Sequence, residues 1–304
     1  MFDFVNRPLV ETEWLAAHLS EPHLRVVDAR WRGDGASRDL YRAGHIPGAV
    51  HLDWQRDLGY TREGVRDLLL PPDRFAELMV AAGIGDDTAV VAYAETDYSG
   101  AARLWWALRY YGHEQVAVLN GGLTKWLAEN RPLSTDLPQP TPAVFTPRPQ
   151  AHWLATAAEI EQVCGSSSSQ TRLVDTRPPE QYLGQAVWTP HGSLYLPPGQ
   201  TEVDIGARRP IRAGHIPGAL HWHASTNLDP AEWTYLAPEA LRGKAEAVGL
   251  QPEQRVITYC GVGISASLGL FALYLAGYRH LALYDASWEE WGTDPTLPVV
   301  TGPA

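Results

Sequence analysis

A seven-residue block, Ala-Gly-His-Ile-Pro-Gly-Ala, occurs twice in this chain, at residues 43–49 and again at residues 213–219. The run Val-Val-Asp-Ala-Arg at residues 26–30 is echoed in the same order by Leu-Val-Asp-Thr-Arg at residues 173–177. Matched positions lie 147, 170 and 166 residues apart, measured from Asp28 to Asp175, from His45 to His215 and from Tyr93 to Tyr259. An identical block in register among matched strands predicts two homologous domains. The change in separation places an insertion in the second domain.

The segment between the two copies is rich in proline and polar residues from Arg131 to Pro142, so it is expected to be extended. We therefore expect a first domain at 1–135, a Pro-rich linker at 136–152 and a second domain at 153–304. Within each half, short apolar strands alternate with helical segments. This alternation predicts the α/β class, with a central, mostly parallel sheet and helices on both of its faces in each domain.

Cys260 follows an apolar, β-branched run at residues 255–258, which is typical of a buried strand. The run at 268–275 has the length and apolar content of a helix. The Gly-containing loop between them places Cys260 at the carboxyl end of a strand and in front of a helix start. Unpaired N–H groups and the positive end of the helix dipole lower a thiol's pKa there. The loop predicts a nucleophilic cysteine; the alternative is a small buried cysteine that only packs.

The repeat supplies an internal comparison for this loop. Aligning Tyr93 with Tyr259 places Ala94 opposite Cys260. The first half therefore lacks the thiol, and it carries the carboxylates of Glu95 and Asp97 where the second half has a glycine-containing loop. Because carboxylates repel an anion, we expect the first domain to be catalytically silent and the second to carry the chemistry.

The chain of 304 residues has a net charge of −11, which argues against nucleic acid or an acidic membrane surface as a partner. It has two cysteines, Cys164 and Cys260, and no Cys/His spacing typical of zinc, so neither a disulfide framework nor a metal or cofactor is expected. No signal peptide and no membrane-spanning run is visible, which predicts a cytoplasmic protein with reduced thiols.

Several motifs together resemble those of the tandem-domain rhodaneses, the thiosulfate and 3-mercaptopyruvate sulfurtransferases. They are the two His-Ile-Pro-Gly-Ala blocks, the Val-Asp-x-Arg strand ends, the Cys-Gly-x-Gly-Ile-Ser-Ala loop and the Tyr-Asp-x-Ser-Trp-x-Glu-Trp segment at 284–291. The resemblance spans roughly residues 8 to 300. It implies that Cys260 takes a sulfur atom from a small-molecule donor, becomes a persulfide and passes the sulfur to cyanide, a small thiol or a thiol protein such as a thioredoxin.

The same resemblance implies a set of binding residues. The backbone of the loop after Cys260 would hold the persulfide: Gly261, Val262, Gly263, Ile264, Ser265 and Ala266. Ser265 is expected either to donate its hydroxyl or only to cap the following helix. A rhodanese-like phosphatase would need an arginine at Ala266 to clamp phosphate, so that activity is disfavoured. A sulfur-carrier module without turnover on small donors, and a silent interaction protein, are the remaining alternatives.

The choice of donor depends on three further positions. Mercaptopyruvate enzymes have Ser where this chain has Val262, and they hold the substrate carboxylate and ketone with two arginines. One of these corresponds to Gln181, which could hydrogen-bond a ketone but could not neutralise a carboxylate, and the other corresponds to Arg208. Arg177 is expected to pair with Asp175 and to add positive potential. Both donors stay open, with a slight preference for mercaptopyruvate.

Two other features have structural interpretations. His45 and His215 occupy matching positions in the two halves, so both are expected to hold turns by hydrogen bonding. A catalytic role of His45 is the less favoured alternative. The insertion at 188–209 is expected to form an ordered loop over the cleft.

Overall fold

A computed structural model describes residues 2–95, 98–141, 143–165, 170–189 and 192–303. The described strands, in chain order, are β1 (Leu9–Val10), β2 (Leu24–Asp28), β3 (Val50–His51), β4 (Gly59–Arg62), β5 (Val65–Leu69), β6 (Ala89–Tyr93), β7 (Val116–Leu119), β8 (Leu154–Ala155), β9 (Thr171–Asp175), β10 (Ala186–Thr189), β11 (Gly192–Tyr195), β12 (Glu202–Val203), β13 (Ile211–Arg212), β14 (Leu220–His221), β15 (Arg255–Tyr259) and β16 (Leu281–Tyr284).

The described helices, in chain order, are α1 (Thr12–His18), α2 (Ser37–Ala43), α3 (Pro72–Ala81), α4 (Ser99–Tyr110), α5 (Gly122–Ala128), α6 (Ala157–Val163), α7 (Pro179–Tyr182), α8 (Pro238–Ala247), α9 (Ile264–Leu275) and α10 (Ser287–Trp291). Short 3-10 helices span Ala151–Trp153 and Ala224–Asn227. None of the helices in the described ranges has the length and hydropathy needed to cross a bilayer.

The chain divides into two compact units, each built on one five-stranded sheet. The sheet of unit 1 has the order β1-β7-β6-β2-β3 and that of unit 2 the order β14-β9-β15-β16-β8, and all pairings within both sheets are parallel. Read from the opposite edge, the second order repeats the first. The predicted α/β class, with a parallel sheet flanked by helices in each half, is confirmed.

The central strands show why these sequences form parallel sheets. Every residue of β6 is buried, as are all residues of β15 after Arg255. A strand covered on both faces has no solvent side, so it needs a continuous apolar run rather than an alternating one. Separate buried clusters surround each sheet, with Trp126 in the cluster of unit 1 and Trp288 and Trp291 in that of unit 2.

Two segments leave the half of the sequence in which they occur. Residues 60–68, which contain most of the β4–β5 hairpin, belong to unit 2, and residues 228–235 belong to unit 1. The remaining unit 1 segments are 1–59 and 69–150. The sequence did not predict this exchange. The boundaries at 135 and 153 stay predictions, and Pro142 of the predicted linker lies outside the described residues.

Candidate active site

Cys260 lies directly after β15, at the carboxyl edge of the unit 2 sheet, and only 2% of the residue is exposed. Its neighbour Tyr259 is in register with Asp175, the last residue of β9. The chain then turns through Gly263, whose φ is +79°, and α9 begins at Ile264. The strand–loop–helix setting that the sequence predicts for this cysteine is therefore present. Ligands of parallel sheets bind at this edge.

The segment around α10 holds the cysteine loop in place. The backbone N–H of Cys260 donates to Oγ of Ser287 at 3.1 Å, and that hydroxyl donates to the carbonyl of Tyr284 at 2.8 Å. In return, Trp288 N–H donates to the Cys260 carbonyl and Glu289 N–H to the Gly261 carbonyl, both at 2.9 Å. These bonds tie down the carbonyl groups of the loop and leave its N–H groups available.

The N–H groups of residues 261 to 266 donate to no acceptor among the described residues. Three of them open α9, and the carbonyls of Cys260 and Gly261, one turn earlier, already accept from Trp288 and Glu289. Gly263 precedes the helix and no side chain caps it, so the structure does not support the capping role considered for Ser265. A row of unpaired donors at a helix N-terminus is suited to an anion on the sulfur of Cys260.

The two glycines of the loop are required for different reasons. Gly263 has a positive φ, which a side chain would strain. Gly261 has no positive φ; instead, a Cβ atom there would lie 2.5 Å from the ring of Trp188. The close approach of Trp188, rather than an unusual backbone angle, therefore demands glycine at position 261. Trp188 belongs to the β10–β11 hairpin, which begins the insertion expected to be a loop.

Arg177 follows β9 and is buried beside the cysteine loop. Its Nε and Nη2 groups pair with Asp175 at distances of 2.5 to 3.1 Å, and Nη2 also donates to the Gly214 carbonyl at 2.7 Å. Its Nη1 group is buried and has no partner among the described residues. Burial lowers the pKa of Arg177, but the charge and the hydrogen bonds of Asp175 leave that pKa raised overall. The predicted ion pair is present, with one N–H group to spare.

The corresponding arginine of unit 1 uses that spare group. Arg30 pairs with Asp28 in the same way and donates Nη2 to the Gly44 carbonyl at 2.8 Å. Its Nη1, however, lies 3.5 Å from the carboxylate of Glu95, which also pairs with Arg32. Unit 1 therefore carries a carboxylate next to Ala94 that takes this donor, whereas in unit 2 the Nη1 group of Arg177 has no partner among the described residues. Asp97, the other carboxylate of that loop, lies outside the described residues.

Gln181 lies in α7, on the connection that leaves the carboxyl end of β9, and 2% of it is exposed. Its Nε2 donates to Oγ of Ser193 at 2.9 Å, and that hydroxyl donates to the carboxylate of Glu180 at 2.7 Å. Its amide oxygen Oε1 is buried with no partner among the described residues. The free atom is therefore an acceptor, whereas the sequence interpretation had expected this amide to donate to a ketone.

Arg208 contacts the end of α10 rather than the cysteine loop. Its Nε donates to Oγ1 of Thr293 at 2.9 Å and its Nη2 to the Glu290 carbonyl at 3.1 Å. Asp294 lies 3.9 Å from the same guanidinium. A role of Arg208 in clamping a substrate carboxylate stays a prediction, and it would require these bonds to be exchanged for the ligand.

Sequence reasoning missed Arg66 and Glu289. The Arg66 guanidinium pairs with both carboxylate oxygens of Glu289, at 2.6 and 3.2 Å, and lies 5.8 Å from the ring centre of Trp188. The hydrogen bonds and charge of Glu289 outweigh partial burial and raise the pKa of Arg66. Arg66 comes from the exchanged β4–β5 hairpin, so nothing near Cys260 in the sequence indicates it. Glu289 occupies the unspecified position of the Trp-x-Glu-Trp segment, so that motif does not indicate it either.

The two repeated histidines contact the backbone of their own units. His45 is buried and its ring nitrogens face the carbonyls of Tyr41 and Asp136, at 2.8 and 3.1 Å. His215 faces the carbonyl of Tyr182 at 2.8 Å and stacks on that ring. Both histidines thus hydrogen-bond backbone carbonyls, as is typical of residues that hold a turn. Within the described ranges, no cluster of three or more His, Cys, Asp or Glu side chains could hold a metal ion.

Comparison with known proteins gives consistent matches over almost the whole chain. The model of the rhodanese-like domain matches twice, at residues 11–129 and 156–294. The sulfur carrier protein TtuD of Thermus thermophilus is 34% identical over 97% of this chain and 96% of its own length, and a thiosulfate sulfurtransferase of Corynebacterium glutamicum is 34% identical over 97% and 90%. The crystal structure of SseA from Escherichia coli, a 3-mercaptopyruvate sulfotransferase, is similar with a TM-score of 0.77 and 25% identity, over 92% of this chain and 98% of that one.

Proposed function

Because the chain belongs to the rhodanese family, with two rhodanese-like domains in tandem, we propose that it is a sulfurtransferase whose reactive group is Cys260. The Cys260 thiolate takes a sulfane sulfur from thiosulfate or 3-mercaptopyruvate and passes it to a thiophilic acceptor such as cyanide or a thiol. The relatives named as sulfurtransferases support this activity.

Each half-reaction forms one bond to sulfur and breaks another. With thiosulfate, the Cys260 thiolate attacks the outer sulfur, the S–S bond of the donor breaks, and sulfite leaves with the bonding electrons. With 3-mercaptopyruvate, the C–S bond breaks instead and pyruvate leaves after taking up a proton on carbon. The acceptor then attacks the outer sulfur of the persulfide, and the Cys260 thiolate leaves.

The observation that carries the proposal is the row of N–H groups from Gly261 to Ala266, which follow a buried thiol and have no acceptor within the part of the chain that the structure describes. A thiolate and a persulfide are both anions, and both gain from donors fixed at a helix N-terminus. The spare Nη1 group of Arg177 adds a cation on the same side of the site. We assign to these groups, with Val262, Gly263, Ile264 and Ser265 of the loop, the binding of the transferred sulfur.

The loop favours a small anion over phosphate. Position 266 is a buried alanine, so the loop has no guanidinium to hold a phosphate dianion by two parallel hydrogen bonds. A persulfide carries a single charge on one sulfur, and backbone donors suffice for it.

A sulfur-carrier role is the second candidate, and it is favoured by one specific observation. A relative that matches almost the full length of this chain is named a sulfur carrier protein. In that case the acceptor is the thiol of a partner protein, for example a thioredoxin, and small donors serve only to load Cys260. We propose a cytoplasmic location for either role, because the reactive thiol must stay reduced.

Intact-mass measurement after incubation with each donor tests the proposal. We expect one added sulfur atom in the wild-type protein and in Cys164→Ser, which removes the only other cysteine, and no added sulfur in Cys260→Ser. An adduct that persists in Cys260→Ser would overturn the assignment. Steady-state production of thiocyanate or pyruvate then separates the enzyme from the carrier, since a carrier forms the adduct with little turnover.

A further inference from the structure

The direction of the hydrogen bonds around Gln181 can be fixed from chemistry alone. The Glu180 carboxylate is ionised, because its hydrogen bond from Ser193 outweighs slight burial and lowers its pKa. An ionised carboxylate can only accept hydrogen bonds, so the Ser193 hydroxyl donates its single hydrogen to Glu180 at 2.7 Å. Ser193 must then accept from Gln181, and at 2.9 Å it takes the Nε2 group of the amide. The amide oxygen is left facing the other way.

This oxygen is a buried acceptor with no partner among the described residues. Leaving such a group unpaired costs about 1–3 kcal/mol, so a ligand that donates to it gains that much over one that does not. A carboxylate or ketone oxygen cannot donate and meets repulsion from the amide oxygen. The subsite is therefore a hydrogen-bond acceptor. Glu180 fixes this, because by accepting from Ser193 it makes Ser193 accept from the Gln181 amide N–H and leaves the amide oxygen free.

The subsite is connected to the reactive cysteine by short structural steps. β9, which leads into Gln181, pairs directly with β15, which leads into Cys260. Ser193 is the cross-strand partner of Trp188, and the Trp188 ring packs on Gly261, the residue after Cys260. The β10–β11 hairpin thus touches both Gln181 and the cysteine loop.

The surrounding charges favour a cationic donor. Glu180 supplies a negative charge behind Ser193, and the nearest arginine along the chain, Arg177, donates to Asp175 and to the Gly214 carbonyl rather than to this chain of bonds. Arg208 is held by Thr293 and Glu290. His221 and His223 lie close enough to Glu180 to contribute to the lowering of its pKa, but no described cation is hydrogen-bonded to the Gln181–Ser193–Glu180 chain.

We infer that the Gln181 amide oxygen is a specificity subsite for sulfur acceptors that carry an N–H donor, an aminothiol in particular, and that it disfavours acceptors with a carboxylate in that place. The inference rests on the proposed sulfurtransferase function. In the step concerned, the aminothiol thiolate attacks the outer sulfur of the Cys260 persulfide and a new S–S bond forms. The bond between that sulfur and Cys260 breaks, the Cys260 thiolate leaves, and the ammonium group donates to Gln181 throughout.

The test compares two acceptors of nearly equal size, cysteamine and 3-mercaptopropionate, which differ in an ammonium against a carboxylate. Persulfide formed with thiosulfate is discharged by each, and the rates are expressed per concentration of thiolate so that the thiol pKa values do not bias the comparison. We expect kcat/KM for cysteamine to exceed that for 3-mercaptopropionate by about tenfold or more, the size of one hydrogen bond to a buried group. Cyanide, which has no second group, serves as the reference acceptor.

Three variants separate the subsite from general damage. Gln181→Leu removes the acceptor at similar size and should bring the two thiols to within about twofold. Ser193→Ala leaves Gln181 in place but lets its amide rotate, so the preference should shrink as well. Gln181→Glu keeps the acceptor and adds charge, so the preference for cysteamine should persist or grow. The rate with cyanide is measured for each variant and divides the rates with both thiols, so that a general loss of activity cancels from the preference.

Equal rates for the two thiols in the wild-type protein, or a preference that survives Gln181→Leu, would overturn the inference. NMR titration of the unloaded protein gives the dissociation constants of both thiols. This second measurement tests the preference for an N–H donor without a persulfide. If thiosulfate and 3-mercaptopyruvate leave no sulfur on Cys260, the proposed function fails, while the two dissociation constants still decide whether Gln181 selects an N–H donor.

Discussion

The Arg66 guanidinium holds the Glu289 carboxylate at two points, with Nε to Oε1 at 2.6 Å and Nη2 to Oε2 at 3.2 Å. Glu289 is completely buried, whereas 29% of the Arg66 side chain is exposed. The backbone N–H of the same glutamate donates to the Gly261 carbonyl. An exchanged hairpin from the first half of the sequence thus fixes the residue that follows Cys260.

Removing the arginine should destabilise unit 2. In Arg66→Ala the buried Glu289 carboxylate loses its only cation among the described residues, and we expect a loss of about 3 kcal/mol in the free energy of unfolding. Urea denaturation measures this loss. Arg62→Ala, which removes an exposed arginine from the same hairpin, is the matched control and should change stability by no more than about 0.5 kcal/mol. Equal effects of the two variants would contradict a structural role of the pair.

A methyl group on Gly261 should disturb the loop. The Cβ of Gly261→Ala would lie 2.5 Å from the Trp188 ring, so either the ring or the loop must move, at a cost of about 1–3 kcal/mol. We expect slower persulfide formation, measured by mass after short exposure to thiosulfate. Gly243→Ala in α8, where nothing lies within 4 Å, is the control and should stabilise the protein by up to about 1 kcal/mol. Normal persulfide formation in Gly261→Ala would show that the contact with Trp188 does not position the loop.

The two arginines at matched strand ends allow a test of the role of Arg177. Arg177→Lys and Arg30→Lys weaken equivalent ion pairs, with Asp175 and Asp28, and should reduce stability to a similar extent. Of the two arginines, only Arg177 has an Nη1 group without a partner among the described residues, so only its variant should slow persulfide formation, by about ten- to a hundredfold for one lost charge-assisted bond. Equal persulfide rates in the two variants would reduce Arg177 to a structural residue.

Three histidines contribute to the pH dependence of stability just below pH 6.5. Burial lowers the pKa of His113, His215 and His223 from 6.5, so the unfolded chain binds protons more readily than the folded one. Their contribution is complete above pH 6.5 and is lost as the pH falls from 6.5 towards the depressed folded values. The free energy of unfolding should therefore decrease in this window. Asp86 and Glu180, whose pKa values are also lowered, act only at lower pH, below 3.8 and 4.5 respectively.

The variant His113→Phe isolates one of these contributions. His113 is buried and its ring lies 5.8 Å from that of Phe145, so a phenylalanine of similar shape keeps the packing and cannot take up a proton. We expect a shallower dependence of unfolding free energy on pH just below 6.5 than in the wild-type protein. An unchanged slope would assign the effect to the other two histidines.

The sequence predicted those features that depend on local interactions and missed those that depend on distant segments. The repeat, the parallel sheets and the setting of Cys260 rest on apolar runs and on glycine positions, and each can be read within about ten residues of chain. The exchange of residues 60–68 and 228–235 cannot be read in this way. The two segments occupy matching places in the repeat, so packing onto either unit satisfies the same local pattern. Arg66 was missed for that reason.

The sequence could not predict which atom of the Gln181 amide is free, for a different reason. An amide carries both a donor and an acceptor, and only its neighbours decide which of the two is free. Ser193 lies twelve residues further along the chain, in a hairpin where a loop was expected. The sequence predicted the position of Gln181 and its lack of charge, but not that its donor is already used.

Charge at position 181 should control the use of 3-mercaptopyruvate as a sulfur donor. Gln181→Arg replaces an unpaired acceptor by a guanidinium that can bind the donor's carboxylate, so we expect kcat/KM for 3-mercaptopyruvate to rise by about tenfold or more. The matched control is Gln185→Arg, which adds the same charge at an exposed position four residues away and should leave the value unchanged. Because Glu180 and Ser193 can turn towards the new guanidinium, Gln181→Arg combined with Ser193→Ala should show the larger gain. If neither variant with arginine at 181 gains on 3-mercaptopyruvate while persulfide formation with thiosulfate is intact, position 181 does not contact the donor's carboxylate.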